Sequence, residues 1–279
     1  MSTVRNGPLV GLIAQFALLA GLAGTVGIGV AGWAAGLAYG GVLCGLLWRG
    51  LRVSGARRLG PADRVTLARA LLVGGVLALV VPGGAGPAPA VLVPLTAVAL
   101  ALDAVDGLVA RRTGTASALG ARFDMEVDAF LILVLSAHVA PSIGGWVLAI
   151  GGMRYAFVAA SWALPWMRGS LPPRYWRKVV AAVQGVVLAV AASHLLPPVA
   201  TAALVAGALA LLIESFGRDV AWLWRHRPAR ATTSVGALAP VRPAPSAAVP
   251  VDVVGPAVPG GHPARPAPVP ARIAAHQPV

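Results

Sequence analysis

Residues 91–128 read VLVPLTAVALALDAVDGLVARRTGTASALGARFDMEVD. This stretch decides the fold because it joins two opposed demands. An apolar run long enough to cross a bilayer, about 88–110, ends in carboxylates, and a second one, about 123–140, begins with them. Asp103 and Asp106 stand three positions apart at the end of the first run, and Asp124 and Asp128 four positions apart at the start of the second. On α-helices each pair shares one face. The short segment 112–122 predicts that the two helices are antiparallel neighbours, so that four carboxylates converge. A carboxylate at the bilayer centre costs roughly 2.5–3.5 kcal/mol on insertion scales, so a group of them at a membrane edge needs a compensating reason. Left alone they repel and some take up protons. With hard divalent cations they become oxygen ligands suited to Mg²⁺ or Mn²⁺. Glu126, between the second pair, points off the shared face and reads as an exposed charge.

Composition around this stretch agrees with a lipid solvent. Of 279 residues 58% are hydrophobic, the mean hydropathy is +0.80, and only 11% are charged, against about 25% in soluble domains. The net charge of +13 is concentrated between apolar runs. That distribution points to anionic headgroups and anionic substrates rather than to nucleic acid, for which the chain shows no motif and, at 6% aromatic residues, little stacking surface. The single cysteine, Cys44, excludes a disulfide within the chain and reads as a small buried residue.

Residues 8–48 form an apolar stretch interrupted near Gly27 and Gly29, enough for two spans joined as a hairpin. Further apolar segments follow at about 66–83, 88–110, 123–140, 143–166, 177–196 and 198–217, punctuated by Pro82-Gly83-Gly84, Pro141 and Pro197-Pro198. The expected fold is therefore all-α: a polytopic membrane helical bundle with a six-helix core and an N-terminal two-helix hairpin. The boundaries are 1–59 for the hairpin with its basic loop, 60–226 for the core and 227–279 for a Pro/Ala-rich tail expected to be disordered. A cleaved signal peptide at residues 1–25 is disfavoured, because a second apolar segment follows at once with no clear cleavage site. Arginines gather in the loops after spans two, four, six and eight, whereas the alternate loops contain neither Lys nor Arg. The positive-inside rule then places both termini and the acidic motif on the cytoplasmic side of the cell membrane. In the hairpin, Gly32-x3-Gly36-x3-Gly40 and Gly41-x3-Gly45 have the spacing of close helix contacts in lipid, though 34 glycines also produce such spacing by chance.

The residues between the carboxylates suit a nucleotide. Gly107 and Ala110 remove bulk so that a base or phosphate can approach the backbone, Arg111 is a fork-shaped donor to phosphate oxygens, and Gly120 fits the turn before the next helix. For Gly and Ala alone, ordinary lipid-phase packing explains as much.

Together these eight positions, Asp103-x2-Asp106-Gly107-x2-Ala110-Arg111-x8-Gly120-x3-Asp124-x3-Asp128, resemble the signature of the CDP-alcohol phosphatidyltransferases. The resemblance covers about residues 60–226 and leaves out the hairpin and the tail. It implies that Asp103, Asp106 and Asp124 are ligands of Mg²⁺ or Mn²⁺, with two ions, and that Asp128 lies close to the metals as general base. It implies contacts from Gly107, Ala110 and Arg111 to the cytidine diphosphate group. The implied reaction moves a phosphatidyl or similar lipid-phosphate group from a CDP-activated lipid to a small alcohol acceptor, with release of CMP, in phospholipid biosynthesis. It also implies a homodimer. Weaker echoes flank the motif. Thr66 and Arg69 fit an Asn-x2-Thr-x2-Arg opening of the first core helix, with Thr66 near the diphosphate, while Asp63 departs from it. Lys178-x5-Gln184 resembles the start of the fifth core helix, and Arg154 and Lys178 are candidates for binding a phosphate-bearing acceptor. Glu214 to Asp219 also looks family-like, without a mechanism attached.

Two other readings use the same aspartates. A UbiA-type prenyltransferase would show a third Asp where Ala110 stands and a second acidic motif far downstream. A cation or proton transporter would be expected to show internal repeats or broken helices near the midplane; no repeat is visible, and the carboxylates sit at the cytoplasmic edge.

Overall fold

The structure, a computed structural model, describes residues 6–54, 60–83, 89–114, 118–169, 171–172 and 174–227. All of these lie in the first of two compact units, Met1–Arg230. The tail expected to be disordered falls outside the described residues, apart from Arg227.

Among the described residues there are eight α-helices, with no strand: α1 (Asn6–Val26), α2 (Val30–Ser54), α3 (Pro61–Val80), α4 (Pro89–Thr113), α5 (Ala118–Ile143), α6 (Leu148–Ala163), α7 (Tyr175–Ala192) and α8 (Pro198–Arg225). The expected all-α polytopic bundle is therefore found. The first break falls where the glycines predict it, with Gly27 at φ 72° between α1 and α2. Pro141 does not end α5, which runs on to Ile143 before a single 3-10 turn, Gly145–Val147, leads into α6. Six helices are long and apolar enough to cross a membrane: α1, α2, α4, α5, α7 and α8. The other two depart for separate reasons. α6 has 16 residues, about 24 Å at 1.5 Å per residue, short of a hydrocarbon core about 30 Å thick. α3 carries Asp63, Arg64 and Arg69 within its 20 residues.

α3 is the hub. It packs against α1, α2, α4 and α5. Ala70, Val73 and Val76 have no exposed surface, and Ala78 has almost none. The expectation that α4 and α5 are direct neighbours needs correction. Among the described residues they do not pack along their lengths; α3 and α7 each pack against both. A short connection brings two helix ends together but does not oblige their shafts to touch. Here α3 enters from the side, and its buried Arg69 takes carboxylates from both.

The two glycine stripes of α2 part company. A Cβ on Gly32 would stand 2.4 Å from the carbonyl oxygen of Ala78 on α3, and one on Gly36 would stand 2.8 Å from Leu19 of α1. Gly40 faces the side chain of Gln15, whereas Gly41 and Gly45 face nothing within 4 Å. The first stripe lets three helices approach closely, as small residues do in lipid; the second makes no such contact within the chain.

Candidate active site

The four motif aspartates meet around one cation, Arg69 of α3. Its side chain has no exposed surface. Nη1 lies 2.9 Å from Asp103 Oδ1, and Nη2 lies 3.7 Å from Asp106 Oδ2. Nη1 also donates to Asp128 and Nη2 to Asp124. One guanidinium thus bridges the carboxylate ends of α4 and α5, whose shafts stand apart. Asp106 is the deepest of the four, at 4% exposure, and accepts a 3.0 Å hydrogen bond from Thr66 Oγ1. The other three remain open: the side chains of Asp103, Asp124 and Asp128 are 40%, 35% and 31% exposed. The cluster is therefore closed on the α3 side and accessible on the other.

The arrangement suits a metal ion. One carboxylate oxygen each of Asp103, Asp106 and Asp124 lies within 4.8 Å of the others. This all-oxygen donor set matches hard divalent cations, and a single guanidinium leaves the four carboxylates with excess negative charge. Asp128 is not one of that trio; its place is on the Arg69 guanidinium beside it.

Gly107 follows Asp106 on α4 and is half-buried. Ala110 and Arg111 occupy the last turns of α4, and their side chains lie outside the described residues. Gly120 is the third residue of α5. Asp63, which departs from the family pattern, acts locally. Its Oδ2 accepts from the backbone N–H of Gly60 at 2.9 Å and caps the start of α3. Arg154 on α6 is not brought to the aspartates. It pairs with Glu126, on the flank of α5 opposite Asp124 and Asp128, and Nη1 lies 2.8 Å from Met125 Sδ. Lys178 is exposed in the first turn of α7. Gln184 is buried, and its amide donates to the carbonyl of Ala208 at 2.8 Å, fastening α7 to α8.

A second charged cluster lies on α7 and α8. Arg177 pairs with the buried Asp219 at 3.2 Å, Arg218 pairs with Glu214, and the Trp176 indole donates to Glu214 Oε2 at 3.0 Å.

The motif spacing alone left the central position of Arg69 out. The signal was present: Arg69 is the only charged residue in the run 65–81, and a lone buried arginine requires carboxylates nearby.

A helical bundle with six apolar membrane-length helices, and with a carboxylate cluster able to hold a metal ion near the ends of two of them, is a multi-pass membrane protein with a candidate metal site. Residues 60–214 match the model of the CDP-alcohol phosphatidyltransferases, and the chain belongs to that family. Its activity is accordingly that of a membrane phosphotransferase. Comparison with curated proteins and with solved structures returns no match.

Proposed function

We propose that the protein transfers a phosphatidyl or similar lipid-phosphate group from a CDP-activated lipid, such as CDP-diacylglycerol, to a small alcohol, releasing CMP. The observation that carries this reading is the convergence of all four motif aspartates on one cationic focus that is open on one side. Asp103, Asp106 and Asp124 would hold Mg²⁺ or Mn²⁺, two ions in all, with Asp128 at the edge of the same group. When bound, the ions neutralise charge on the diphosphate and on the leaving CMP. Thr66 fixes Asp106 in the deepest position. Gly107 and Ala110 leave the α4 backbone open to the cytidine and diphosphate, Gly120 keeps the start of α5 clear, and Arg111 chelates phosphate oxygens.

Asp128 is the general base. It takes the proton of the acceptor hydroxyl, whose oxygen forms a bond to the phosphorus bearing the lipid as the bond from that phosphorus to the CMP oxygen breaks. Lys178, exposed at the start of α7, offers a charge to a phosphorylated acceptor. Arg154 joins it by exchanging Glu126 for the phosphate. We assign the hairpin to residues 1–59, the catalytic core to 60–226 and the tail to 227–279, with both termini and the site on the cytoplasmic side. The basic loops that flank the motif support this orientation.

The test is CMP release from CDP-diacylglycerol by the purified protein with Mg²⁺ or Mn²⁺. The acceptors are glycerol 3-phosphate, inositol phosphate, serine and phosphatidylglycerol, and the products are read by mass. We expect metal-dependent release with a phosphorylated alcohol. No metal-dependent release with any acceptor overturns the reading.

A further inference from the structure

The family match begins at residue 60, so the hairpin of α1 and α2 lies outside it. The hairpin nevertheless sends polar side chains behind the carboxylate cluster. Tyr39 of α2 stacks on Phe130 of α5, two positions beyond Asp128, with ring centroids 4.8 Å apart and planes inclined by 15°. Its hydroxyl is shielded from solvent and has no hydrogen-bond partner. Gln15 of α1 is fully buried, with neither amide atom paired. Gly74, five positions after Arg69 on α3, makes room for both. A Cβ there would stand 2.6 Å from Gln15 Nε2 and 2.9 Å from a ring carbon of Tyr39. Arg69 Nε is likewise buried without a partner.

Buried polar atoms without partners are few in folded proteins, and each asks for an explanation. Here the unpaired groups are complementary. The Tyr39 hydroxyl and the Gln15 carbonyl accept, and the Arg69 guanidinium has five N–H groups to donate. Arg69 also occupies the oxygens that divalent cations would need. Divalent cations bound by these carboxylates would repel the guanidinium and compete with it for oxygens, which favours a second place for Arg69.

We infer that the hairpin supplies this second place: when divalent cations take the aspartates, the Arg69 guanidinium turns back onto the Tyr39 hydroxyl, with the Gln15 amide beside it. Tyr39 is thus a positioning residue of the site, contributed by a part of the chain beyond the family core. The inference rests on reading the aspartates as metal ligands.

The experiment measures Mn²⁺ affinity of the full-length protein in detergent, from the electron paramagnetic resonance of free Mn²⁺. Tyr39→Phe should weaken Mn²⁺ binding about tenfold, the scale of one hydrogen bond to a charged group. Arg69→Gln should tighten it, and in that background Tyr39→Phe should have no effect. Equal weakening in both backgrounds would show that Tyr39 only packs, and overturn the inference; so would no weakening in the native background. Absence of any Mn²⁺ binding by the native protein strikes the metal reading itself, a different failure. Should Arg69→Gln not fold, the tyrosine ultraviolet difference spectrum on adding Mn²⁺ decides. A perturbation lost in Tyr39→Phe supports the inference, and one unchanged in Tyr39→Phe overturns it.

Discussion

The cluster around Arg69 and the cluster on α7 and α8 are made from the same kinds of side chain and differ in balance. On α7 and α8 each carboxylate has its own arginine: Asp219 has Arg177, and Glu214 has Arg218 with an indole donor added. Around Arg69, four carboxylates share one guanidinium. Charge that is neutralised locally needs nothing further, and it holds two helices together. Charge left in excess at a partly exposed site asks for ligands from outside. This difference separates structure from function within one membrane protein, and it can be broken at three places.

The largest effect is expected at Asp128. Asp128→Asn removes the proposed base while keeping the size of the side chain. CMP release should fall by about 10²–10⁴-fold, the usual contribution of general base catalysis, and binding of a CDP-lipid should persist. The measurement is single-turnover CMP release alongside equilibrium binding of the nucleotide. Full activity in this variant would remove Asp128 from the chemistry and leave it as one more counterion of Arg69.

This cluster also shows how far the sequence can be read. The motif spacing placed Asp103 with Asp106 and Asp124 with Asp128 on shared helix faces, because helical periodicity converts i, i+3 and i, i+4 directly into geometry. It could not show what stands between α4 and α5. The short connection suggested direct neighbours, and α3 came between them instead. Contacts between helices far apart in sequence depend on side-chain shapes that no local period encodes. Thr66 gains a partner that the echo did not name, since its hydroxyl donates to Asp106. Arg154 reads in sequence as a candidate for the acceptor phosphate, and in the fold it meets Glu126, whose off-face position was legible. The glycine stripe at Gly32, Gly36 and Gly40 and the pair at Gly41 and Gly45 look equivalent as spacing. Only the packed bundle tells them apart.

Next in size is the effect of removing the shared cation. Arg69→Gln leaves four carboxylates facing one another with no positive charge among them. In chelator the protein should lose about 3–5 kcal/mol, as when one partner of a buried ion pair is deleted. Millimolar Mg²⁺ or Mn²⁺ should restore most of the loss, because the metals then supply the missing charge. Thermal unfolding with and without divalent cation measures this. Destabilisation that metal does not relieve would mean that Arg69 is a structural ion-pair partner only, and the two clusters would then be of one kind.

The smallest effect belongs to the balanced cluster. Asp219 is 7% exposed, but the Arg177 side chain is 31% exposed, so water can take over part of what Asp219 gives it. Asp219→Asn keeps the shape and a carbonyl acceptor while deleting the charge. The expected loss is about 1–2 kcal/mol, near the value of one charged hydrogen bond. Divalent cation should not relieve it, since the metal ligands are on other helices. Mn²⁺ affinity and CMP release per folded molecule should be unchanged. That pairing of results, a stability loss indifferent to metal beside an activity indifferent to the substitution, is what a clamp between α7 and α8 predicts. If Asp219→Asn instead lowered CMP release without lowering stability, the balance of charge would not distinguish the two clusters, and the 214–219 segment would have to be counted with the catalytic machinery.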